Sequence, residues 1–94
     1  MPELLTKAEI DSRLREVNGW RSDGQFITQR FEFENFKEAI QFVNRVAEVA
    51  ERQEHHPDVH LRYNEVTLSI QTHSKGGVTE WDFDLAKEID GVRS

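Results

Sequence analysis

The sequence predicts an α+β fold in which a four-stranded antiparallel sheet carries three helices on one face, in the order α-β-β-α-β-β-α. Helix-start patterns occur at Thr6, Asn35 and Thr79 in the chain of 94 residues. Between successive patterns, apolar and polar residues alternate with the period of two that is typical of half-buried strands. Two hairpins separated by a long helix favour antiparallel pairing, with the helices covering one face of the sheet.

Capping boxes mark the first and third helices. Glu9 follows Thr6 by three residues, and Asp82 follows Thr79 by the same distance. In this pattern the hydroxyl and the carboxylate satisfy free backbone N–H groups reciprocally. The expected ends are Asn18-Gly19 for the first helix, after Val17, and about Asp90 for the third.

The second helix is the longest, beginning after Asn35 and running to about Arg52 without Gly or Pro. Its apolar residues cover an arc of about 180°, whereas packing on one surface needs a stripe only a little over about 100° wide. The excess indicates either a second buried contact with another subunit or the margins of an ordinary core. The apolar residues are Phe36, Ala39, Ile40, Phe42, Val43, Val46, Ala47, Val49 and Ala50.

Two hairpins account for the strands. The first begins near Trp20, turns at Ser22-Asp23-Gly24 and returns over residues 25–33. The second joins a short strand over residues 59–62 to an alternating strand over residues 66–72. Each hairpin places its apolar side chains on one face, as a sheet covered on one side requires.

Composition excludes several classes of function. Twelve basic residues against eighteen acidic ones give a formal net charge of −6, and the basic residues do not cluster. Binding to nucleic acid through its phosphates needs a concentrated positive patch, so direct nucleic-acid binding is not expected. The absence of cysteine excludes disulfides, thiolate metal sites and cysteine nucleophiles. Without a signal-like N-terminus or a long apolar run, we expect one cytoplasmic domain over residues 1–94 with no membrane contact.

All four histidines lie between positions 55 and 73, which is the strongest chemical signal in the sequence. His55-His56-Pro57 falls where the long helix must stop, because proline lacks an N–H and restricts the residue before it. His73 follows the last strand, so a helix end and a strand end are expected to wall one cleft. Imidazole has an ordinary pKa of about 6.5, so these side chains can donate and accept protons near neutrality.

Residue chemistry alone leaves other roles open for these histidines. His55 and His56 can stabilise the helix end by charge–dipole interaction, worth a few tenths to about 1 kcal/mol. His60 alternates with its neighbours in a short strand and is expected on the surface. Adjacent helical histidines point about 100° apart and there is no HExxH spacing, so a metal site is not predicted.

Five spaced elements match a known family signature: Glu51, His55-His56-Pro57, Tyr63, His73 and Asp82. With this spacing over 32 residues, the chain resembles the pterin-4a-carbinolamine dehydratases, also described in animals as the dimerization cofactor of a homeodomain transcription factor. The resemblance covers nearly the whole chain. Further similar segments are Gly19-Trp20, residues 31–36, residues 42–47 and residues 85–90.

The resemblance implies dehydration of a 4a-hydroxytetrahydropterin to the quinonoid dihydropterin, a step that recycles the cofactor of aromatic amino-acid hydroxylases. It implies no cofactor and no metal. The three family histidines correspond to His55, His56 and His73. Our hypothesis is that His55 and His73 form the acid–base pair while His56 orients the substrate, because the elimination needs one base and one acid on the pterin.

Six further residues are expected to bind the substrate or shape its pocket. Asp82 also has the position of a capping carboxylate, and the two roles are compatible. Trp20 either covers the pterin or fills core volume, and its residue type favours the core. Glu51 precedes His55 by one turn and either pairs with that ring or is a solvated charge. The six residues are Trp20, Glu51, Pro57, Thr72, Ser74 and Asp82.

The resemblance also implies a homodimer or homotetramer, which the wide apolar arc of the second helix independently allows. An aromatic amino-acid hydroxylase is the partner expected in the same pathway. The main rival is a non-catalytic interaction protein, a coactivator or assembly factor, and retention of three histidines counts against it. The sequence departs from the family in one place: vertebrate members carry aromatic residues just after His-His-Pro, where this chain has Val59-His60.

Overall fold

The helices and strands follow the predicted order in the computed structural model, which describes residues 2–93. One helix precedes, one separates and one follows the two strand pairs, so the α+β prediction is confirmed. The elements are α1 (Lys7–Leu14), β1 (Arg21–Ser22), β2 (Ile27–Glu32), α2 (Phe36–Gln53), β3 (Asp58–Arg62), β4 (Glu65–Ile70) and α3 (Glu80–Arg93).

The strands form one antiparallel sheet in the order β1-β2-β4-β3. In the central pair, Ile27 lies opposite Ile70 and Phe31 lies opposite Val66. These four residues and Leu68 are buried and belong to the same core cluster as the apolar residues of the helices. The alternate positions of β2 and β4 carry polar side chains that are exposed or half-buried. The sheet is therefore covered on one face, as its period of two predicts.

Local capping fixes where α1 and α2 begin. The Thr6 hydroxyl accepts from the Glu9 N–H at 3.1 Å, and the Glu9 carboxylate accepts from the Thr6 N–H at 2.8 Å. The side-chain oxygen of Asn35 accepts from the Glu38 N–H at 2.9 Å. Both predicted helix starts are confirmed, because these contacts satisfy donors that have no earlier carbonyl within the helix.

Helix α2 carries two apolar rows. The first is buried in the core and consists of Ala39, Phe42, Val46, Val49 and Ala50. The second, which we call the α2 stripe, spans about 60° of the helix surface beside the first row. Its residues are exposed or half-buried, and the Phe36 side chain is 49% exposed. The α2 stripe consists of Phe36, Ile40, Val43 and Ala47.

Helix α1 ends at Leu14, earlier than its apolar spacing predicts. Val17 is buried, but it lies in the turn that follows the helix. Gly19 has φ +83°, and a Cβ at this position would lie 2.1 Å from Oε1 of Gln29. The end of the Gln29 side chain could move aside, so the positive φ is what favours glycine here, and this turn leads the chain into the buried Trp20.

Other boundaries also differ from the prediction, including β2, which covers Ile27–Glu32 rather than residues 25–33. Strand β4 ends at Ile70, two residues early, because the Thr72 N–H donates to the Gly77 carbonyl at 2.8 Å in an isolated bridge. Helix α3 continues to Arg93, beyond the predicted end near Asp90, and Val92 in this extra turn packs against the core. Among the helices of residues 2–93, none combines the length and apolar character needed to cross a membrane.

Candidate active site

The histidine segment follows the end of α2, which closes with a residue in left-handed backbone. Glu54 has φ +53°, and the His55 N–H donates to the Ala50 carbonyl at 3.1 Å. A left-handed conformation costs a non-glycine residue about 1–2 kcal/mol, so the surrounding contacts must hold it in place. The closure takes His55 off the helix surface, and its ring reaches the first turn of α3.

Asp82 of α3 forms a hydrogen bond with the His55 ring. Its Oδ1 atom lies 2.5 Å from His55 Nε2, and its Oδ2 atom accepts from the Thr79 N–H at 2.7 Å. Asp82 is completely buried. The carboxylate therefore caps α3, as its position predicted, and at the same time holds His55, a contact that the sequence did not predict.

Two buried threonines complete the surroundings of this carboxylate. The Thr72 hydroxyl donates to Asp82 Oδ2 at 3.0 Å and lies 2.7 Å from the Thr79 hydroxyl. The Thr79 hydroxyl accepts from the Trp81 N–H at 3.2 Å. Both carboxylate oxygens thus have partners, which a buried charge requires. The network joins the end of α2, the start of α3 and the segment after β4.

His56 and Glu51 form a second pair, with His56 Nε2 2.5 Å from Glu51 Oε2. Both side chains are largely exposed. The suggestion that Glu51 pairs with His55 is wrong. The left-handed Glu54 breaks the one-turn relationship between the two residues, so that His55 turns to Asp82 and His56 folds back to Glu51.

His73 lies in a tight turn between Thr72 and Gly77. The turn is closed by the bridge between those two residues and by the Gly76 N–H, which donates to the Thr72 carbonyl at 2.9 Å. Gly76 has φ +68°, which favours glycine. His73 and Ser74 are both exposed in this turn, and His73 directly follows the Thr72 that donates to Asp82. The third histidine of the signature is therefore adjacent to the buried network along the chain, with its side chain exposed.

A cleft of about 590 Å³ opens beside the His55 ring. The indole of Trp81 is 45% exposed in it, and its centroid lies 6.4 Å from that of His55, with the two rings at 71°. His56 and His73 do not line this cleft, and the half-buried Pro57 does not line it either. The lining residues are Gln53, Glu54, His55, Trp81 and Asp84.

Four of these lining residues were missed by the sequence reasoning. Of the five lining residues, only His55 is predicted as a site residue from the sequence, although Trp81 directly precedes the signature residue Asp82. A large aromatic beside a signature residue was the one signal that pointed to the cleft. Gln53, Glu54 and Asp84 gave no such signal, since polar residues at helix surfaces are ordinary.

Trp20 occupies the core, away from the cleft. Its ring packs edge-on against Phe31 with centroids 6.0 Å apart, and its Nε1–H donates to Asp90 Oδ1 at 2.9 Å. Asp90 lies eight residues beyond Asp82 along α3, a rise of about 12 Å. Of the two roles considered for Trp20, the structure shows the one in the core.

The chemistry of the site is that of imidazoles paired with carboxylates. A histidine whose one nitrogen is held by a carboxylate has a fixed ring orientation and keeps its other nitrogen for proton transfer. Within residues 2–93, no group of three or more His, Asp or Glu side chains is arranged to hold a metal ion. The site is equipped for acid–base chemistry on a small molecule.

Comparison with known proteins assigns this arrangement to a family. The sequence profile of the family described as Pterin 4 alpha carbinolamine dehydratase matches residues 3–92. The chain belongs to this family. A Thermomicrobium roseum protein, whose name assigns it provisionally to the pterin-4-alpha-carbinolamine dehydratases, is 48% identical over 90 residues, covering 96% of this chain and 97% of the relative. A Sulfolobus acidocaldarius protein with the same name is 43% identical over 89 residues, covering 95% and 98%.

Solved structures agree with the family assignment. The crystal structure of a Brucella melitensis protein, described as a transcriptional coactivator/pterin dehydratase, matches with a TM-score of 0.92 at 36% identity, covering 98% of this chain and 100% of the other. A pterin dehydratase-like protein, identified as a RuBisCO assembly factor in the alpha-carboxysome, matches with a TM-score of 0.66 at 17% identity, covering 80% and 87%. The second likeness concerns the fold alone. The dehydratase fold is thus found in proteins described by different functions.

Proposed function

We propose that the chain is a 4a-hydroxytetrahydropterin dehydratase that acts by histidine acid–base catalysis. The observation that carries the proposal is the His55 ring, held by the buried Asp82 at the edge of a cleft. Membership of the dehydratase family supplies the substrate class. A buried carboxylate that orients a histidine beside a cavity is an arrangement used for proton transfer.

In the proposed reaction, water is eliminated across the bond between C4a and the adjacent ring nitrogen. A base takes the proton of that nitrogen, and the released electron pair forms the carbon–nitrogen double bond of the quinonoid dihydropterin. An acid protonates the C4a hydroxyl, which leaves as water. Protons lost and gained balance, so no oxidant, metal or organic cofactor is needed.

The roles of the residues follow from their surroundings. With Nε2 held by Asp82, His55 keeps Nδ1 for the substrate. His73 supplies the second proton-transfer group from the exposed turn that follows Thr72. His56, oriented by Glu51, positions the substrate. Backbone groups of Pro57 and Ser74 shape the approach to the pterin.

The test of this function is the decay of a freshly generated 4a-carbinolamine, followed by absorbance. Acceleration over buffer that is reduced in both His55→Ala and His73→Ala supports the proposal. Unchanged kcat in both variants overturns the assigned roles, whereas no acceleration by the wild-type chain overturns the function itself. An aromatic amino-acid hydroxylase is the class of enzyme that supplies such a substrate.

The α2 stripe favours a second property, assembly with further copies of this chain. Within residues 2–93, Phe36 and Ala47 of this row are exposed and Ile40 is half-buried, while Val43 packs in part against the core. Two α2 helices packed through this row bury it on both copies, as a two-fold interface requires. The same surface is the one on which a non-catalytic role as a coactivator or assembly factor would depend. We propose a homodimer or homotetramer. The histidines paired with carboxylates favour the enzyme function over the non-catalytic role.

A further inference from the structure

The indole side chain of Trp81 is exposed, which is unusual for a large aromatic residue. It lies in the first turn of α3, one residue before Asp82, and its side chain is 45% exposed. Its backbone is held by the hydrogen bond from its N–H to the Thr79 hydroxyl. The Trp81 ring is not part of the core, because Phe83, the residue after Asp82, fills the buried position on this helix. The exposed ring therefore calls for another explanation.

The surroundings of Trp81 are those of a binding platform. The ring lines the 590 Å³ cleft and meets the His55 imidazole at 71°, so His55 lies beside the indole rather than stacked on it. The remaining lining residues, Gln53, Glu54 and Asp84, carry amide and carboxylate groups, whose oxygens can accept hydrogen bonds. An indole with hydrogen-bond acceptors around it is suited to bind a flat heterocycle that has N–H groups at its edge.

We propose that Trp81 is a substrate-positioning residue whose indole stacks on the pterin ring. The inference rests on the proposed function and adds to it the residue that holds the substrate. The oxidised pterin is a planar bicycle, whereas the 4a-hydroxy substrate is tetrahedral at C4a and keeps a flat portion that carries N–H donors on its edge. We expect the indole to pack against the flat portion while the acidic and amide side chains accept from its edge. Stacking on Trp81 brings the reacting edge of the pterin to the His55 ring, and the substrate must extend beyond this cleft to meet His56 and His73, which do not line it.

Stacking of a nucleobase on an aromatic residue is worth about 1–3 kcal/mol by alanine substitution, which corresponds to about 5- to 150-fold in Kd. Oxidised pterin and purine are alike in size and planarity, so we expect the same range for oxidised pterin. The side chain is exposed and the Thr79 contact uses the backbone N–H. Substitution of the ring should therefore leave the fold and the His55–Asp82 pair in place.

The experiment measures binding of oxidised pterin, which cannot be dehydrated, by the anisotropy of its own fluorescence. Trp81→Ala and Trp81→Leu should raise Kd about 5- to 150-fold, while Trp81→Phe should restore most of the affinity. The leucine variant is the matched control, because it keeps apolar bulk and lacks a ring. In steady-state turnover, Trp81→Ala should raise KM by a larger factor than it lowers kcat. A matching circular dichroism spectrum and Tm establish that each variant is folded.

Several results would overturn the inference. Equal Kd values for wild type and Trp81→Ala, in a wild-type chain that accelerates the dehydration, overturn the role of Trp81 and leave the proposed function standing. Equal affinity of the leucine and phenylalanine variants shows that apolar bulk is sufficient and that stacking is not the mode. A wild-type chain that neither binds pterin nor accelerates its dehydration overturns both proposals together.

Discussion

His55 Nε2 lies 2.5 Å from Asp82 Oδ1, and this contact joins the end of α2 to the start of α3. The other oxygen of Asp82 accepts from the Thr79 N–H and the Thr72 hydroxyl, so one buried carboxylate ties three segments together. A group with so many roles couples the stability of the fold to the orientation of the proposed catalytic ring. Substitutions at Asp82 should therefore affect both.

Asp82→Asn should lower both kcat and stability. The amide keeps the size of the carboxylate but has one acceptor oxygen instead of two, so its N–H₂ group faces either the two donors at Oδ2 or the His55 ring. An unsatisfied buried group costs about 1–3 kcal/mol. His55→Ala removes an acid–base group and should lower kcat by about 10²- to 10⁴-fold. The double variant should be little slower than His55→Ala, because Asp82 acts through that ring. Carbinolamine decay and thermal unfolding measure the two effects.

Asp11→Asn, on the exposed surface of α1, is the control for the loss of one negative charge. It should leave kcat and Tm close to the wild-type values. If Asp82→Asn has wild-type kcat, or if its effect multiplies fully with that of His55→Ala, the carboxylate does not act through His55.

Glu51→Gln and His56→Ala should have little effect on stability, in contrast to Asp82→Asn. Both side chains of the pair are largely exposed, and such pairs contribute about 0–1 kcal/mol. If His56 positions the substrate, KM should rise more than kcat falls in His56→Ala, and Glu51→Gln should shift KM in the same direction by a smaller factor. Steady-state kinetics together with urea unfolding test this; a large loss of stability with unchanged KM would show a structural role instead.

The helix starts and the role of Asp82 as a cap could be predicted because they depend on residues three positions apart. The Glu9 carboxylate accepts from the Thr6 backbone N–H within one turn, and the Asp82 carboxylate accepts from the Thr79 N–H in the same way at the start of α3. The residue types and their spacing in the sequence are sufficient to predict local hydrogen bonds of this kind. The alternation in β4 predicted its buried face for the same reason.

The partners of the histidines could not be predicted, because they depend on one backbone conformation. Nothing in the residue type of Glu54 indicates left-handed backbone, which is uncommon for a non-glycine residue. That conformation decides that His55 meets Asp82, 27 residues away, and that His56 meets Glu51. The cleft beside Trp81 likewise exists only where the end of α2 approaches α3 in three dimensions.

Gly76→Ala should destabilise the chain and disturb the turn that carries His73. Gly76 has φ +68° and a Cβ there would meet nothing within 4 Å, so the cost is conformational, about 1–2 kcal/mol. For a domain of this size, Tm should fall by about 4–8 °C per kcal/mol. The matched control is Gly91→Ala, which is also free of neighbours within 4 Å but lies in helix α3. It should stabilise the chain by about 0.5–1 kcal/mol, and equal effects of the two variants would contradict the argument.

The ion pair between Arg13 of α1 and Glu80 of α3 should make stability depend on pH. The hydrogen bond from the Arg13 guanidinium, helped by its charge, holds the pKa of Glu80 below its ordinary value of 4.5. A carboxyl with a depressed folded-state pKa contributes stability above its unfolded pKa and loses that contribution as the pH falls through the folded pKa. Wild type should therefore exceed Glu80→Gln in Tm at neutral pH, by a small margin because Glu80 is nearly half exposed.

That margin should disappear as the pH is lowered from about 6 to below the ordinary carboxyl pKa, and it should shrink at high salt. Glu48→Gln, an exposed glutamate of α2, is the control for general loss of negative charge. A margin that stays constant between neutral and acid pH would show that the Arg13–Glu80 pair does not contribute through ionisation.

Ile40→Glu should reduce the assembly to smaller species. Ile40 is the second of the four α2 stripe residues along the helix and lies on the side of the stripe away from the core-facing row. A carboxylate there must be desolvated when two copies meet. Light scattering after size exclusion should give a lower mass than wild type. Gln41→Glu adds the same charge one position away, on the polar side of α2, and should keep the wild-type mass. A single-chain mass for wild type, or equal masses for the two variants, would show that the α2 stripe does not join copies of this chain.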